Sequence, residues 1–414
     1  AGRWGSRGIR AAQPAWFGVD SMIRLLAAVP TPPPYAGPEV GMELLLRYWH
    51  SERIQLHHLR ANIRQSNAEK GRLDWRGIRM FLRVWVQYCW LLWRWRPHVV
   101  FLLLSSSRVG FLRDVLLIST ARLYGAQVVG QYRGGNFAGF YRGQPRHWQC
   151  LIRSALQQLA KVLVQSRGLQ AQFSGVLPAE RLAVLPNGVS LADFPGRSRK
   201  VAEALPYRLL FVGHVSFAKG FREVTRAYCR LQQEMPVELW VAGTRIASPR
   251  IVQSFLPPEW SHYYAAYGVE IEAEIERFLA EAAQRDNVHI LGIVSASAVK
   301  QWMAAVDLLV LPSYSEGFSM AVLEAMAAGL PVVVTPVGAL GELVQDGVHG
   351  RVVPVGDADA LYRALRSCLE QPDWMRQVGE RNRRFVLENF AIERVVNRLE
   401  AEICAILDGV RGRG

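Results

Sequence analysis

The most pointed chemistry in the sequence lies between Leu308 and Gly350. A short apolar run, Leu308–Leu311, leads into Pro312-Ser313, then into a loop holding Glu316-Gly317-Phe318, then into a helical pattern carrying Glu324. Gly317 lets the backbone come close to a ligand. The first amide groups of the new helix, near Phe318, Ser319 and Met320, have no intrahelical acceptor and attract anions. Glu316 and Glu324 stand eight residues apart, at most about 12 Å along a helix axis. That separation suits one carboxylate on a sugar hydroxyl and the other on a ribose, with a diphosphate held between them. Taken alone, the pair reads equally as a solvated loop acid and a helix-surface acid.

A second segment, Leu209–Phe221, points the same way. Its strand pattern ends at Gly213-His214, and Lys219-Gly220 precedes another helical pattern. Lys219 can then stand beside the same phosphates as a compact point charge. The chain has only five lysines among its 49 basic residues, which makes a lysine in this loop less of a filler.

The elements needed to position these residues follow from alternating apolar runs and amphipathic stretches. Ile23–Val29, His98–Leu104, Ala126–Gln131, Val162–Gln165 and Ala183–Leu185 read as strands of one sheet, with a helix starting near Met42. Arg208–Val212, Glu238–Ala242, Val288–Leu291, Leu308–Leu311, Pro331–Thr335 and Arg351–Val353 read as strands of a second. Apolar runs separated by helical patterns predict parallel sheets with crossover helices. The fold class is therefore α/β, with two doubly wound, Rossmann-like domains facing a central cleft. The expected division is a disordered extension over 1–20, an acceptor-binding domain over 21–200, a nucleotide-binding domain over 201–386, and a C-terminal helix over 387–414 packing back toward the first domain. The stretch between Gly243 and Asn287 has no role legible in the sequence.

Composition narrows the classes further. At 414 residues and 50% hydrophobic, the chain can build real cores, which excludes disordered and low-complexity classes. Five scattered cysteines without a CxxC pair fit a reducing compartment and no structural zinc site. Residues 1–206 carry 28 basic and 10 acidic side chains, and residues 207–414 carry 21 and 25. A net +18 half joined to a net −4 half predicts that the first half meets an anionic surface or substrate. No run of eighteen uncharged apolar residues occurs, and the N-terminus lacks a signal-peptide pattern, so the expectation is a cytoplasmic protein. The segment Trp75–Arg96 sets Arg76, Arg79, Arg83, Gln87 and Arg94 on one stripe of an otherwise apolar, tryptophan-rich helix. It reads as a crossover helix on the first sheet, and part of its surface also suits a membrane interface. Nucleic-acid motifs are missing, so no nucleic-acid partner is expected.

Together these segments resemble the GT-B glycosyltransferases of family 4, the "glycosyl transferases group 1" type. The resemblance runs from Met22 onward and is strongest over Leu209–Pro354. Its E-x7-E motif matches Glu316 and Glu324, and its phosphate-contacting lysine matches Lys219. The N-terminal glycine loop looks like Pro33–Gly41, with Gly37 nearest the diphosphate. Pro186-Asn187-Gly188-Val189 with Asp193, and Ala328–Gly338 with Glu342 and Asp346-Gly347, match two further motifs. Two positions depart from the pattern. His214 stands where the family often has an arginine, so His214 or Arg245 would take that role. Arg133, in Tyr132–Phe137, stands where a histidine is frequent; an arginine binds anions and does not act as a base at neutral pH.

The resemblance implies a retaining transfer of a sugar from a nucleotide diphosphate donor to a glycan or lipid-linked acceptor. Lys219, Glu316 and Arg133 would be the catalytic set. Gly37, Gly213, His214, Gly292, Gly317, Phe318, Ser319, Met320 and Glu324 would hold the donor, and Arg133, Gly135 and Asn136 the acceptor. No metal or other cofactor is expected, since Lys219 and the helix amides neutralise the leaving diphosphate and no DxD-type pair stands in a suitable loop. A nucleotide-sugar epimerase or hydrolase of the same fold, and a non-catalytic nucleotide-sugar-binding protein, are the alternatives. An anionic membrane surface at the inner face is the further partner suggested by the basic half.

Overall fold

The structure is a computed structural model that describes residues 22–33, 37–62, 75–194, 197, 205–246 and 248–411. The extension over 1–20, positions 34–36 of the glycine segment and most of the polar link after Phe194 lie outside the described residues.

Two six-stranded parallel sheets form the frame. The first contains β1 (Ile23–Val29), β2 (Ile54–Arg60), β3 (Val99–Leu104), β4 (Gln127–Tyr132), β5 (Lys161–Val164) and β6 (Leu182–Val184), in the order β2-β1-β3-β4-β5-β6. The second contains β7 (Tyr207–Val212), β8 (Val237–Ala242), β9 (Val288–Gly292), β10 (Leu308–Leu311), β11 (Val332–Val334) and β12 (Gly350–Val352), in the order β12-β11-β10-β7-β8-β9. Runs such as VVFLLL and LLVL are buried nearly throughout, because crossover helices cover both faces of a parallel sheet. Strand β2 was not expected from the sequence. Its residues, IQLHHLR, alternate between buried or half-buried and exposed positions on a sheet edge, so it lacks the apolar run that marks the central strands.

Helices α1 (Gly37–Arg47), α2 (Trp75–Trp95), α3 (Arg108–Leu123), α4 (Phe137–Arg142), α5 (Arg146–Gln157) and α6 (Arg167–Gln170) belong to the first domain. One sheet face packs Leu26, Val100 and Val128 against Tyr88 and Leu92 of α2, Phe111 and Ile118 of α3 and Ile152 of α5. The opposite face packs Leu25, Phe101 and Val129 against Met42 and Leu45 of α1. That helix starts at Gly37, five residues before the expected Met42, so the end of the glycine segment is its first turn.

The second domain adds α7 (Phe221–Leu231), α8 (Pro249–Phe255), α9 (Pro258–Ala282), α10 (Ala296–Ala305), α11 (Met320–Ala327), α12 (Leu340–Leu343), α13 (Ala358–Leu369) and α14 (Pro372–Phe390). The stretch with no legible role is thus two helices. On α9, Tyr264 stacks on Phe217 with ring centroids 5.5 Å apart, and Trp260 meets Tyr314 edge-on at 4.7 Å. Both contacts brace the loops that follow β7 and β10.

The chain then returns. Ala391 separates α14 from α15 (Ile392–Arg411), so the last helix begins at Ile392, and residues 387–390, expected to belong to it, finish the preceding one. Val396, Leu399 and Ile403 of α15 join the α1 side of the first core. At the crossing, Val189 donates its N–H to Phe390 O at 3.0 Å and accepts from Ile392 N at 3.0 Å, so the outgoing and returning chains form one short parallel bridge.

Within the second domain, Asn382 of α14 is fully buried and donates to Leu330 O and His349 O, each at 2.8 Å. Asn382→Ala leaves both carbonyls without a partner, and such losses cost about 1–3 kcal/mol per group. The expected outcome is a loss of about 2–4 kcal/mol, read as a thermal unfolding midpoint several degrees lower; an unchanged midpoint contradicts this account of the α14 anchor.

Candidate active site

The second sheet reverses its strand order between β7 and β10, and in open α/β sheets ligands bind beyond the carboxyl ends of the strands at such a point. The loops after these two strands therefore come from neighbouring positions. Gly220, in the left-handed region at φ 71°, makes their approach possible: a Cβ there would lie 2.1 Å from the Pro312 carbonyl oxygen. The loop after β7 ends in a short 3-10 turn, Phe217–Lys219, and aims Lys219 across the gap. Lys219 Nζ donates to Glu316 Oε1 at 2.6 Å, and Ser313 Oγ donates to the same oxygen at 2.9 Å. The glutamate side chain is 9% exposed and the lysine 26%. Lys219 and Glu316 were expected to serve different parts of a donor, and the structure brings them together as an ion pair. Ser313 was not anticipated; its position three residues before Glu316 is the signal that could have identified it.

Glu324 sits one turn into α11, whose N-cap Ser319 makes no side-chain cap bond. Phe318, Ser319 and Met320 stand at this helix start as expected. Burial pushes the Glu324 carboxyl up to about 7, with Lys300 opposing the shift and Asp193 adding to it. Lys300 Nζ and Asp193 Oδ2 form an ion pair at 2.7 Å. The charges acting most strongly on Glu324 are thus this pair, joining α10 to the interdomain link, and Lys219 is not among them. Neither Lys300 nor Asp193 was a candidate site residue.

The remaining donor-side candidates separate into several positions. Gly213 and His214 follow β7 directly, with His214 exposed. Gly292 closes β9 on the sheet edge, two strands from the switch, with open space around its Cα. Gly37 opens α1 and is exposed, again with nothing close to it. Arg245 does not replace the missing arginine. It pairs with Glu272 and Glu276 of α9 and donates to Val215 O at 3.1 Å and Ile246 O at 2.8 Å, which binds the loop after β7 to the loop after β8.

The first domain presents the loop after β4. Arg133 donates through Nε to Gln131 Oε1 at 3.2 Å, and its guanidinium fills the space that a side chain at Gly41 of α1 would need. Burial lowers its pKa to about 10, partly offset by Glu39, so it stays cationic at neutral pH. Oε2 of Glu39 is buried and has no hydrogen-bond partner. Gly135 is where the two domains touch: a Cβ there would lie 2.3 Å from the Glu316 carbonyl oxygen. Asn136, expected to bind acceptor, uses Oδ1 to cap α4, accepting from Gly139 N at 2.9 Å. A second contact closes the cleft, with Glu342 of α12 accepting from Arg167 N at 3.0 Å and from Gly168 N.

The site is therefore a seam between two loops. There Lys219 pairs with Glu316, and the backbone of Arg133–Gly135 lies against Glu316 and Gly317, with glycines where the backbones approach; Glu324, at the start of α11, has the Lys300–Asp193 pair as its neighbouring charges. Among the described residues, no group of three or more His, Cys, Asp or Glu side chains could hold a metal ion.

Comparison with known proteins bears on the fold and on the second domain. Residues 206–371 match the family described as "Glycosyl transferases group 1". The chain is 29% identical over 218 residues to the MMP alpha-(1->4)-mannosyltransferase of Mycolicibacterium hassiacum, covering 52% of this chain and 46% of that protein. It is 31% identical over 230 residues to the lipopolysaccharide core biosynthesis mannosyltransferase LpcC of Rhizobium leguminosarum, covering 54% and 60%. The chain thus matches about half the length of these curated relatives. Among solved structures, sucrose-phosphate synthase from Thermosynechococcus elongatus superposes with a TM-score of 0.66 at 19% identity, over 94% of this chain and 100% of that one. Anabaena HepE in complex with UDP gives 0.65 at 17% identity, over 93% and 100%. At these identities the solved structures speak for the fold, and the sequence match speaks for the second domain. Residues 206–371 are thus similar to the glycosyl transferases group 1 family, and the two sheets together have the GT-B fold.

Proposed function

We propose that the protein is a retaining glycosyltransferase of family 4 that moves a sugar from a nucleotide diphosphate donor, a UDP- or GDP-sugar, to a glycan or lipid-linked acceptor. The observation that carries this reading is the Lys219–Glu316 pair at the strand-order reversal, seated against the Arg133–Gly135 loop of the other domain. A nucleotide diphosphate is already a good leaving group, so the site's main task is to meet the negative charge that builds on it. Lys219 and the uncapped amides at the start of α11 supply positive potential there. A diphosphate entering the seam takes over Lys219, which frees Glu316 to accept from a sugar hydroxyl while Ser313 keeps its carboxylate oriented. Glu324 fits the ribose, and Arg133 an anionic or hydroxylated acceptor. We read the reaction as independent of a metal ion, because these fixed cations and dipoles address the same charge.

Two similar proteins, the lipopolysaccharide core biosynthesis mannosyltransferase LpcC and the amylovoran biosynthesis glycosyltransferase AmsK of Erwinia amylovora (29% identical over 198 residues), support a role in cell-surface polysaccharide or glycolipid synthesis. With the basic first half, they support action in the cytoplasm at the inner face of an anionic membrane.

Lys219→Ala and Glu324→Ala are each expected to lower donor turnover by about 10²–10³ while leaving the thermal midpoint near that of the wild type. The readout is nucleotide release from UDP- and GDP-sugars, after a thermal-shift screen has identified the donor class. Unchanged turnover in both variants removes this site assignment.

The raised pKa of Glu324 also has a defined sign. With the folded value near 7 and the ordinary glutamate value at 4.5, the native state keeps a proton that the unfolded state has released between those pH values. The group's contribution to stability is present below pH 4.5 and is lost as pH rises toward 7. Ribose hydroxyls bind best to the ionised carboxylate, so donor affinity is expected to rise from pH 6 to 8. In Glu324→Gln both the affinity gain and this part of the stability slope should vanish; a variant with the wild-type pH profile would falsify the ribose assignment.

A further inference from the structure

Helix α2 covers the first sheet with only part of its circumference. Tyr88, Leu91 and Leu92 are buried, while Trp75, Ile78, Leu82, Val86, Trp90 and Trp93 are exposed by 37–82%. These six recur every three or four residues, which places them on one outward stripe of the 21-residue helix. Arg79, Arg83 and Arg94 are exposed along one edge of that stripe. Helix α3 lies beside α2 on the same sheet face. Tyr88 Oη donates to Leu117 O at 3.0 Å, and Trp85 Nε1 donates to Thr120 Oγ1 at 3.4 Å. Its own outer residues Leu112, Leu116, Leu123 and Tyr124 are 45–86% exposed, so the two helices together present one apolar platform.

Charge identifies the occupant. On α2 and α3 the exposed charges among the described residues are Arg79, Arg83, Arg94, Arg108 and Arg122, and their one acidic residue, Asp114, is buried and paired with Arg113 at 2.6 Å. A second copy of this chain would bring two such basic faces together, which is unfavourable. An anionic bilayer complements the charge, and its headgroup region favours tryptophan rings and arginines on apolar stems. Five of the chain's 13 tryptophans lie on α2. Among the described residues, no helix is long and apolar enough to cross a membrane, so the contact lies in the plane of the interface.

We propose that the outer faces of α2 and α3 form a docking surface for an anionic lipid bilayer, with α2 lying in the headgroup layer. This rests on the membrane placement in the proposed function only for its purpose. The contact itself does not require the sugar-transfer reading.

The test is sedimentation of the full chain with vesicles of phosphatidylglycerol and phosphatidylcholine, and with phosphatidylcholine alone, at low and high salt. No nucleotide sugar is present, so the result stands apart from the donor-binding screen. The wild type is expected to sediment with the anionic vesicles, far less with the neutral ones, and less as salt rises. Trp90→Glu with Trp93→Glu should weaken retention more than tenfold. Arg79→Gln, Arg83→Gln and Arg94→Gln should each weaken it about fivefold. The substituted side chains are exposed, so near-native melting is expected. Should the double variant unfold, quenching of wild-type tryptophan emission by brominated phosphatidylglycerol reads the same contact. The proposal is overturned if the wild type stays in the supernatant, if folded variants sediment like the wild type, if wild-type emission is unquenched, or if the tryptophan variants only dissociate a dimer without changing vesicle retention.

Discussion

The meeting of Lys219 with Glu316 rests on a topological fact: β7 and β10 are neighbours although almost a hundred residues separate them. Because the second sheet reverses its order there, the two loops that follow diverge to opposite faces and leave a crevice between them. Gly220 removes the side chain that would hold those loops apart, and Ser313 completes the support of the carboxylate. The aromatic stack of Tyr264, Phe217 and Tyr314 then fixes both loops from behind. A lysine and a glutamate held in this way are a preorganised dipole, whose cation a phosphate can take over without the protein having to rearrange.

The other half of the site is supplied across a domain boundary, and the boundary is built from backbone more than from side chains. Gly135 meets the Glu316 carbonyl, Glu342 accepts from two amides of α6, and Val189 bonds to both sides of Ala391. The return of α15 to the first core means that the second domain is attached to the first at two crossings. Two adjacent crossings restrict relative motion more than one linker would. Lys300 and Asp193 add a charged tie between α10 and the link, close enough to act on Glu324.

Burial acts on the two key ionisable groups in different ways. It raises the Glu324 carboxyl into the physiological range, where its charge becomes conditional. It lowers Arg133 only to about 10, so its charge is retained despite desolvation. Arg133 therefore keeps its charge across the neutral range, and Glu324 changes its own within it. Glu39, with an unpartnered buried oxygen near Arg133, limits how far desolvation can shift that arginine.

Much of this was legible in the residues themselves. Uniformly apolar runs marked the central strands because parallel sheets are buried on both faces, and the E-x7-E spacing with Lys219 singled out the two loops, after β7 and β10, that meet in the fold, because the residue types at a strand end are local in sequence. Strand β2 was not legible, since an edge strand keeps polar residues and loses the apolar run. The start of α1 was misplaced because its first turn is glycine-rich and reads as loop. Partnerships across distance were equally hidden. That Lys219 would bind Glu316, that Arg245 would be consumed by α9, and that Asn136 would cap its own helix depend on which loops become neighbours. Sequence alone determined which residue types stand at the ends of which strands, since that is set by short-range pattern. Only the tertiary structure decided which of them face one another, because strand order and domain closure bring together atoms that the chain keeps far apart.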